Sequence, residues 1–360
     1  MSRTPFRVAF LTPKHFGPYI GGGERYPLNL ARGLIAADSD VHVDIVAPGP
    51  VVGSVVAGPR LNLCTVPVAV EGESDLDHIA PEIWEPIERC DVVHVHQAFT
   101  RASQFAILIA KLLGKRLVVT DHGAVSNHIE HDVHYLDLVD LFVFQSQFAR
   151  GRLEANRPHV VLPGGVDHRF FCPGPSPSQR SHVLFVGRLL PHKGVDRLLA
   201  ALPPEVPCVI AGRPYDPDYT AYVHALGRGR TISFVENADD LALRRLYRDA
   251  IATVLPSVHR DAWGRVYEAP ELMGFTALES MACGTPAIVS PAGALAEFVR
   301  HGETGFVFDS LTHLTTLIGE LAGGDADAER MGTAARRRVE REYAVDVVGT
   351  HLLAAYREIG

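Results

Sequence analysis

The sequence predicts an α/β protein built from two doubly wound parallel-sheet domains. Three observations carry that expectation. Short apolar segments alternate with amphipathic helical ones along almost the whole chain. The order strand, loop, helix opens two separate stretches, one at Phe6 and one at His182. Between them lies Cys172-Pro-Gly-Pro-Ser-Pro-Ser178, a proline-rich linker signal. At 360 residues the chain is long enough for two domains of ordinary size.

Phe6 to Thr12 reads as a buried parallel strand: short, nearly all apolar and ended by Pro13. A loop with Gly17 and Gly21-Gly22-Gly23 follows, and then Leu28, Leu30, Ala31 and Leu34 recur at helical spacing. Such an order can bring backbone N–H groups close to a phosphate, although a plain tight turn reads the same way. It is not G-x-G-x-x-G, so the dinucleotide fingerprint is a poor match. Strands are expected at Val41–Ala47, Leu61–Val66, Asp91–His96, Leu117–Thr120, Leu141–Ser146 and Val160–Leu162, with helices at Ile79–Ile87 and Arg101–Leu113. Ligands of such sheets gather at the carboxyl ends of the strands, where His96 and His122 fall. A structural histidine is the ordinary reading of that position. His128, His131 and His134 drift around a helix at i, i+3, i+6 and would not converge easily on a metal. Lys111, Lys115 and Arg116 form a small basic spot, thin support for a membrane surface.

The second sheet is expected from His182–Val186, and the loop after it carries Arg188 and Lys193, a pair suited to a diphosphate. Further strands read at Val209–Gly212, Thr231–Val235, Ile251–Pro256 and Ala287–Ser290, with helices at Val195–Leu202 and from Asp218 and Asp240. Residues 257–270, with Trp263 and Tyr267, form a polar loop long enough to suggest binding. It runs straight into Glu271. Glu271 and Glu279 are expected at the two ends of one apolar helical stretch that Gly284 and Pro286 stop. On a helix, eight residues rise about 12 Å and turn by about 80°. Two acids so placed could hold the two ends of an elongated ligand, with a diphosphate at the helix N-terminus near 272–274. Two surface glutamates on an amphipathic helix are the bland alternative. The last segment, Ala344–Ile359, has enough apolar positions to dock back on the first domain.

Composition narrows the class. With 47% hydrophobic and 21% charged residues the chain is of the globular kind. A formal net charge of −8 disfavours nucleic acid as a partner. Five scattered cysteines without CxxC spacing argue against a disulfide framework or zinc site, and no apolar run reaches a membrane span. A cytoplasmic location is the expectation.

Taken in order, the motifs resemble those of the retaining nucleotide-sugar glycosyltransferases of family 4, which have the two-domain GT-B fold. The resemblance covers essentially the whole chain. It rests on Gly21-Gly22-Gly23, His122-Gly123, Gly165-Val166-Asp167 before Phe171, Gly187-Arg188 with Lys193-Gly194, and Pro256-Ser257. The remaining matches are Glu271 and Glu279 with Gly274, Ala282-x-Gly284-x-Pro286, and His301-Gly302-x-Thr304-Gly305. It implies two Rossmann-like domains facing across a cleft: 1–172 on the acceptor side, 173–342 on the donor side, and 343–360 returning to the first.

It further implies that Arg188 and Lys193 hold the donor diphosphate, that Glu271 accepts donor-sugar hydroxyls and that Glu279 accepts the ribose hydroxyls. His122 would lie by the reacting carbon. Gly22, Gly23, Gly187, Gly274, Phe275 and Thr276 would complete the donor site. The implied reaction moves a hexose from a nucleoside-diphosphate sugar, UDP ahead of GDP, to an acceptor hydroxyl, with no metal and no cofactor. The acceptor is a small molecule, glycan or lipid carrier. A sugar-nucleotide epimerase and a non-catalytic nucleotide-sugar binding protein are the alternatives. One departure is plain: the stretch from Ser257 to Glu271 is much longer than the family pattern.

Overall fold

A computed structural model describes residues 5–13, 16, 21–72, 74, 76–123, 134–153, 157–174, 180–324 and 326–359. Gly17, His128, His131 and residues 175–178 of the proline run lie outside them, so the expectations placed there are not addressed. Two compact units divide the chain: residues 1–165 with 345–360, and residues 166–344.

The first unit is an eight-stranded sheet. Its strands are β1 (Phe6–Leu11), β2 (Val41–Pro48), β3 (Gly53–Gly58), β4 (Leu61–Val66), β5 (Val92–His96), β6 (Arg116–Thr120), β7 (Leu141–Phe144) and β8 (His159–Val161). They run β3-β4-β2-β1-β5-β6-β7-β8 across the sheet. Among the described residues every pairing in this sheet is parallel except β3 with β4, which is antiparallel. The strand β3 is an addition to the expected set. Its first five residues are exposed, so no burial pattern marks it in the sequence. The central strands β1, β5 and β6 are buried on both faces, which is why they read as mostly apolar segments rather than alternating ones.

The helix Gly22–Ala37 starts one turn earlier than its leucines suggest. Gly21 is its N-cap, and the Glu24 carboxylate accepts from the Gly21 N–H at 3.0 Å. Gly22 and Gly23 are therefore first-turn helix rather than open loop. The chain's last helix, Val345–Glu358, packs on this one. Gly33 and Gly349 touch backbone to backbone: a Cβ on Gly33 would stand 2.2 Å from the Val345 carbonyl oxygen. Across the same contact Arg357 donates to Asp38 at 2.5 Å.

The unit boundary falls at 165/166, ahead of the proline run at which the sequence divides. Asn29 Nδ2 donates to the Gly165 carbonyl at 2.6 Å, tying that residue to the first unit, whereas Val166 pairs with Ala344 in the second. The basic spot is spent internally: Lys111 pairs with Asp140 at 2.6 Å, and Lys115 donates to the Glu88 and Cys90 carbonyls.

The second unit is a six-stranded parallel sheet of β9 (His182–Val186), β10 (Cys208–Ala211), β11 (Ile232–Val235), β12 (Ala250–Leu255), β13 (Ala287–Val289) and β14 (Gly305–Val307). The order is β11-β10-β9-β12-β13-β14. The chain reverses direction across the sheet between β9 and β12. A doubly wound sheet opens its ligand crevice at such a switch point. The loops after both strands carry the residues considered next.

Candidate functional site

The loop after β9 brings Gly187 and Arg188 to the carboxyl end of the sheet. Gly187 lies against Gly212 so closely that a Cβ on the latter would sit 1.7 Å from the Gly187 carbonyl oxygen. Arg188 is exposed, its guanidinium 5.3 Å from the centre of the Tyr215 ring. A 3₁₀ turn, Pro191–Lys193, follows, closed by Gly194 at φ 68°. A Cβ on Gly194 would strike the Pro256 carbonyl oxygen at 2.1 Å, so the turn and the end of β12 can meet only through glycine.

That approach delivers Lys193 to Glu271. Lys193 Nζ stands 2.7 Å from Glu271 Oε1, with side chains 16% and 12% exposed. Ser257 Oγ donates to the same oxygen at 2.6 Å. The Glu271 backbone is fixed from the other side: its carbonyl accepts from Ala294 N–H at 2.9 Å, under Gly293 at φ 60°. His192, beside Lys193, is pushed down to about 4 by burial first and by the Lys193 charge second. The imidazole is therefore neutral at pH 7.

The single-helix expectation for the two acids is corrected here. The helix runs Phe275–Ala282 with Gly274 as its N-cap, so Glu271 precedes it and only Glu279 is helical. Glu271 is instead held against Gly293 and Ala294. Gly274, Phe275 and Thr276 do lie at the helix start, and Thr276 Oγ1 donates to the Val186 carbonyl at 3.4 Å. That bond ties the helix N-terminus to the end of β9. Glu279 is buried, 4% exposed, and accepts from the Tyr247 hydroxyl at 2.9 Å.

In the first unit, His122 lies just after β6, half-buried. Gln145 Nε2 donates to the Asp121 carbonyl at 2.8 Å and stands 3.0 Å from His122 Nδ1. A carbonyl only accepts, so the Gln145 atom facing it is the amide nitrogen, and His122 Nδ1 must accept from it. The His122 proton then sits on Nε2, which donates to His96 Nδ1 at 3.1 Å. His96 in turn carries its proton on Nε2, a buried nitrogen without a hydrogen-bond partner. Burial holds His122 down to about 4 and His94 to about 3, and His96 well below its ordinary value. His94 bonds Thr120 at 2.8 Å and Tyr356 at 2.5 Å.

The second unit thus joins Lys193, Glu271 and Ser257 at the ends of β9 and β12, with Arg188 and Gly187 in the loop after β9 and Gly274, Phe275 and Thr276 at the following helix start. Glu279 sits a helical turn deeper, on Tyr247. His122, Gly22 and Gly23 belong to the first unit. Ser257 stood in a motif whose role only the structure displays, whereas Tyr247, Gln145 and Gly293 as supports carried no signal of their own. Among the described residues, no three His, Cys, Asp or Glu side chains are placed to hold a metal ion. No helix among them is long and apolar enough to cross a membrane.

Comparison with known proteins agrees with the two-unit fold. The family model described as Glycosyl transferases group 1 matches residues 170–338, and that for Glycosyltransferase Family 4 matches residues 20–170. A D-inositol 3-phosphate glycosyltransferase of Mycolicibacterium gilvum is 30% identical over 83% of this chain and 73% of its own. A GDP-mannose-dependent alpha-(1-6)-phosphatidylinositol monomannoside mannosyltransferase of Mycolicibacterium smegmatis is 29% identical, over 66% of this chain and 70% of that one. Among solved structures, sucrose-phosphate synthase from Thermosynechococcus elongatus superposes with a TM-score of 0.73 at 21% identity, covering 98% of this chain and 99% of that one. Anabaena HepE, in complex with UDP and glucose, gives a TM-score of 0.74 at 18% identity, covering 98% and 100%.

Proposed function

The chain belongs to glycosyltransferase family 4, nucleotide-sugar-dependent enzymes of the GT-B fold, and we propose that it moves a hexose to an acceptor hydroxyl with retention and without a divalent metal. The observation that carries this reading is the Lys193–Glu271–Ser257 cluster beside Arg188 at the end of β9. Departure of a nucleoside diphosphate builds negative charge on its oxygens and positive charge on the sugar ring. Arg188, exposed, and Lys193 are fixed cations where that negative charge grows, which is transition-state stabilisation. They supply charge that a bound metal would otherwise provide, and the reading includes no cofactor.

Glu271 receives two donors on one oxygen and is ion-paired. In that state it is suited to accept donor-sugar hydroxyls and poorly suited to attack carbon. Retention then proceeds by same-face attack, with the leaving phosphate as base, rather than through a carboxylate nucleophile as in retaining glycosidases. Gly187, Gly274, Phe275 and Thr276 line the diphosphate side, and Glu279 takes the ribose hydroxyls. The first unit serves the acceptor and contributes His122, Gly22 and Gly23.

The acceptor is a small molecule, glycan or lipid carrier. One relative is named for GDP-mannose and a structural neighbour holds UDP. UDP is the reading to be tested, and GDP would replace it. The experiment is a thermal-shift panel of UDP, GDP, ADP and their common sugars on wild type and Arg188→Ala. A ligand at 100 times its Kd stabilises by about 2.7 kcal/mol, a readily measured shift. One base should stand out and fade in the variant. A wild-type protein that responds to none of them, but to NAD or a free sugar, would overturn the donor site.

A further inference from the structure

The long segment 257–270 is a built hairpin, and it displays an aromatic surface that the donor chemistry leaves unused. Arg260 bridges to Val266, and Gly264 turns the tip at φ 82°. Asp261, 6% exposed, is the organiser: it accepts from the Trp263 and Arg265 N–H groups at 3.0 and 2.9 Å and from the Tyr267 hydroxyl at 3.0 Å. Its base is seated on the turn that carries Lys193. Val258 N–H donates to the His192 carbonyl at 2.8 Å, and the Tyr267 and His192 rings lie 4.7 Å apart. The ends of the hairpin close at the Ser257–Glu271 contact.

A buried carboxylate with three donors fixes this tip, yet the side chain it holds out, Trp263, is 54% exposed. Its ring meets Tyr219 at 5.7 Å and Tyr222 at 5.8 Å, with interplanar angles of 72° and 57°. Tyr219 is itself pinned, its hydroxyl donating to Asp196 at 2.8 Å. Tyr222 keeps 38% of its surface in water. Two orienting rings and a fixed backbone make a rigid platform, and rigid aromatic surface binds at low entropic cost.

We propose that the Trp263–Tyr222 surface is a carbohydrate subsite that stacks a hexopyranose ring of the acceptor other than the one bearing the reacting hydroxyl, which the proposed function assigns to the first unit. The chemistry favours a sugar over a flat base. The rings meet at steep angles rather than as a parallel slot, so there is no cleft into which a base could slide. A pyranose offers one face of C–H groups to an indole and hydroxyls around its rim, and the exposed Arg265, beside Tyr267 and Asp216, stands ready for the latter. The hairpin's base closes on Glu271, which ties the subsite by the chain to the proposed donor site. The inference deepens the proposed function and rests on it for the word acceptor, but binding itself can be read without turnover.

The chain has two tryptophans, Trp84 and Trp263, so Trp84→Phe leaves Trp263 as the sole indole reporter. Titrating this variant with maltotriose, mannotriose and a galactose trisaccharide should change the fluorescence with at least one. In otherwise wild-type protein, Trp263→Ala should raise the KM for a glycan acceptor roughly tenfold, leave the donor KM unchanged and keep the nucleotide-induced thermal shift. Absence of a response to all three saccharides, or a response to uridine in their place, overturns the subsite. Loss of the nucleotide shift in wild type would count against the donor reading instead, so the two failures are told apart. Melting of the Trp263→Ala protein checks that an exposed side chain was removed without unfolding.

Discussion

Replacing Lys193 by Met tests the donor site where its geometry is most specific. Lys193 Nζ and Glu271 Oε1 are 2.7 Å apart, both side chains mostly out of water. An exposed pair contributes about 0–1 kcal/mol, while stranding one member of a buried pair costs about 3–5 kcal/mol. This pair lies nearer the buried limit, but Ser257 Oγ stays on the stranded carboxylate and offsets part of the loss. The expected destabilisation of Lys193→Met is therefore about 2 kcal/mol, read by urea unfolding. Glu271→Gln in the same background removes the stranded charge and should return most of it. Turnover separates the structural from the catalytic role. If Lys193 neutralises the departing diphosphate, the double variant stays about 100-fold or more below Glu271→Gln alone. A double variant as active as Glu271→Gln would mean that Lys193 serves only to satisfy Glu271, and the leaving-group role would be refuted.

Three further outcomes follow from the buried histidines and from two tightly packed glycines. Stability should fall with acid between about pH 6.5 and 4, because the depressed histidines stay neutral in the fold while the unfolded chain takes up protons below 6.5. Their contribution is intact above 6.5, and for His94, held to about 3, the loss by pH 5 is about 2 kcal/mol; melting temperatures independent of pH in that window would contradict it. Gly293→Ala places a Cβ 2.2 Å from the Glu271 carbonyl oxygen at a backbone φ of 60°. We expect about 1–3 kcal/mol of destabilisation and a weakened nucleotide-induced shift in a folded protein, read by calorimetry. Gly349→Leu drives a side chain into Gly33, whose carbonyl carbon a Cβ would meet at 2.0 Å. The last helix should then lose its seat and be cut early in limited proteolysis, while wild type resists.

The fold was legible because burial writes itself into parallel strands: β1, β5, β6, β9 and β12 are short, largely apolar segments. The strand β3 was not, since an exposed edge strand needs no burial pattern. Arg188 and Lys193 were legible as two cations in one strand-end loop, and Glu271 as an acid after a long loop. What the sequence hid was the path between Glu271 and Glu279. A helical period fits both residues, but the tertiary contact with Gly293 and Ala294 holds Glu271 ahead of the helix that Gly274 caps. Long-range supports share this property. Ser257 on Glu271 and Tyr247 on Glu279 are 14 and 32 residues away from their partners, beyond any local pattern.

His122 shows how position and role come apart. Its place after β6 could be read from the chain; its proton could not. Gln145 must present its amide nitrogen, because the Asp121 carbonyl can only accept. From that single constraint the protons of His122 and His96 are both fixed on Nε2. Both His122 nitrogens are then engaged inside the protein, and burial keeps the ring uncharged at neutral pH. A general-base role for His122 would have to break one of these bonds or charge a ring held at about 4. A neutral, oriented ring is what the network produces, and beside the donor sugar of the proposed function such a ring would shape surroundings rather than move a proton. In the same-face transfer proposed above, the proton would then pass to the leaving phosphate, a reading that fits a Glu271 already paired with Lys193.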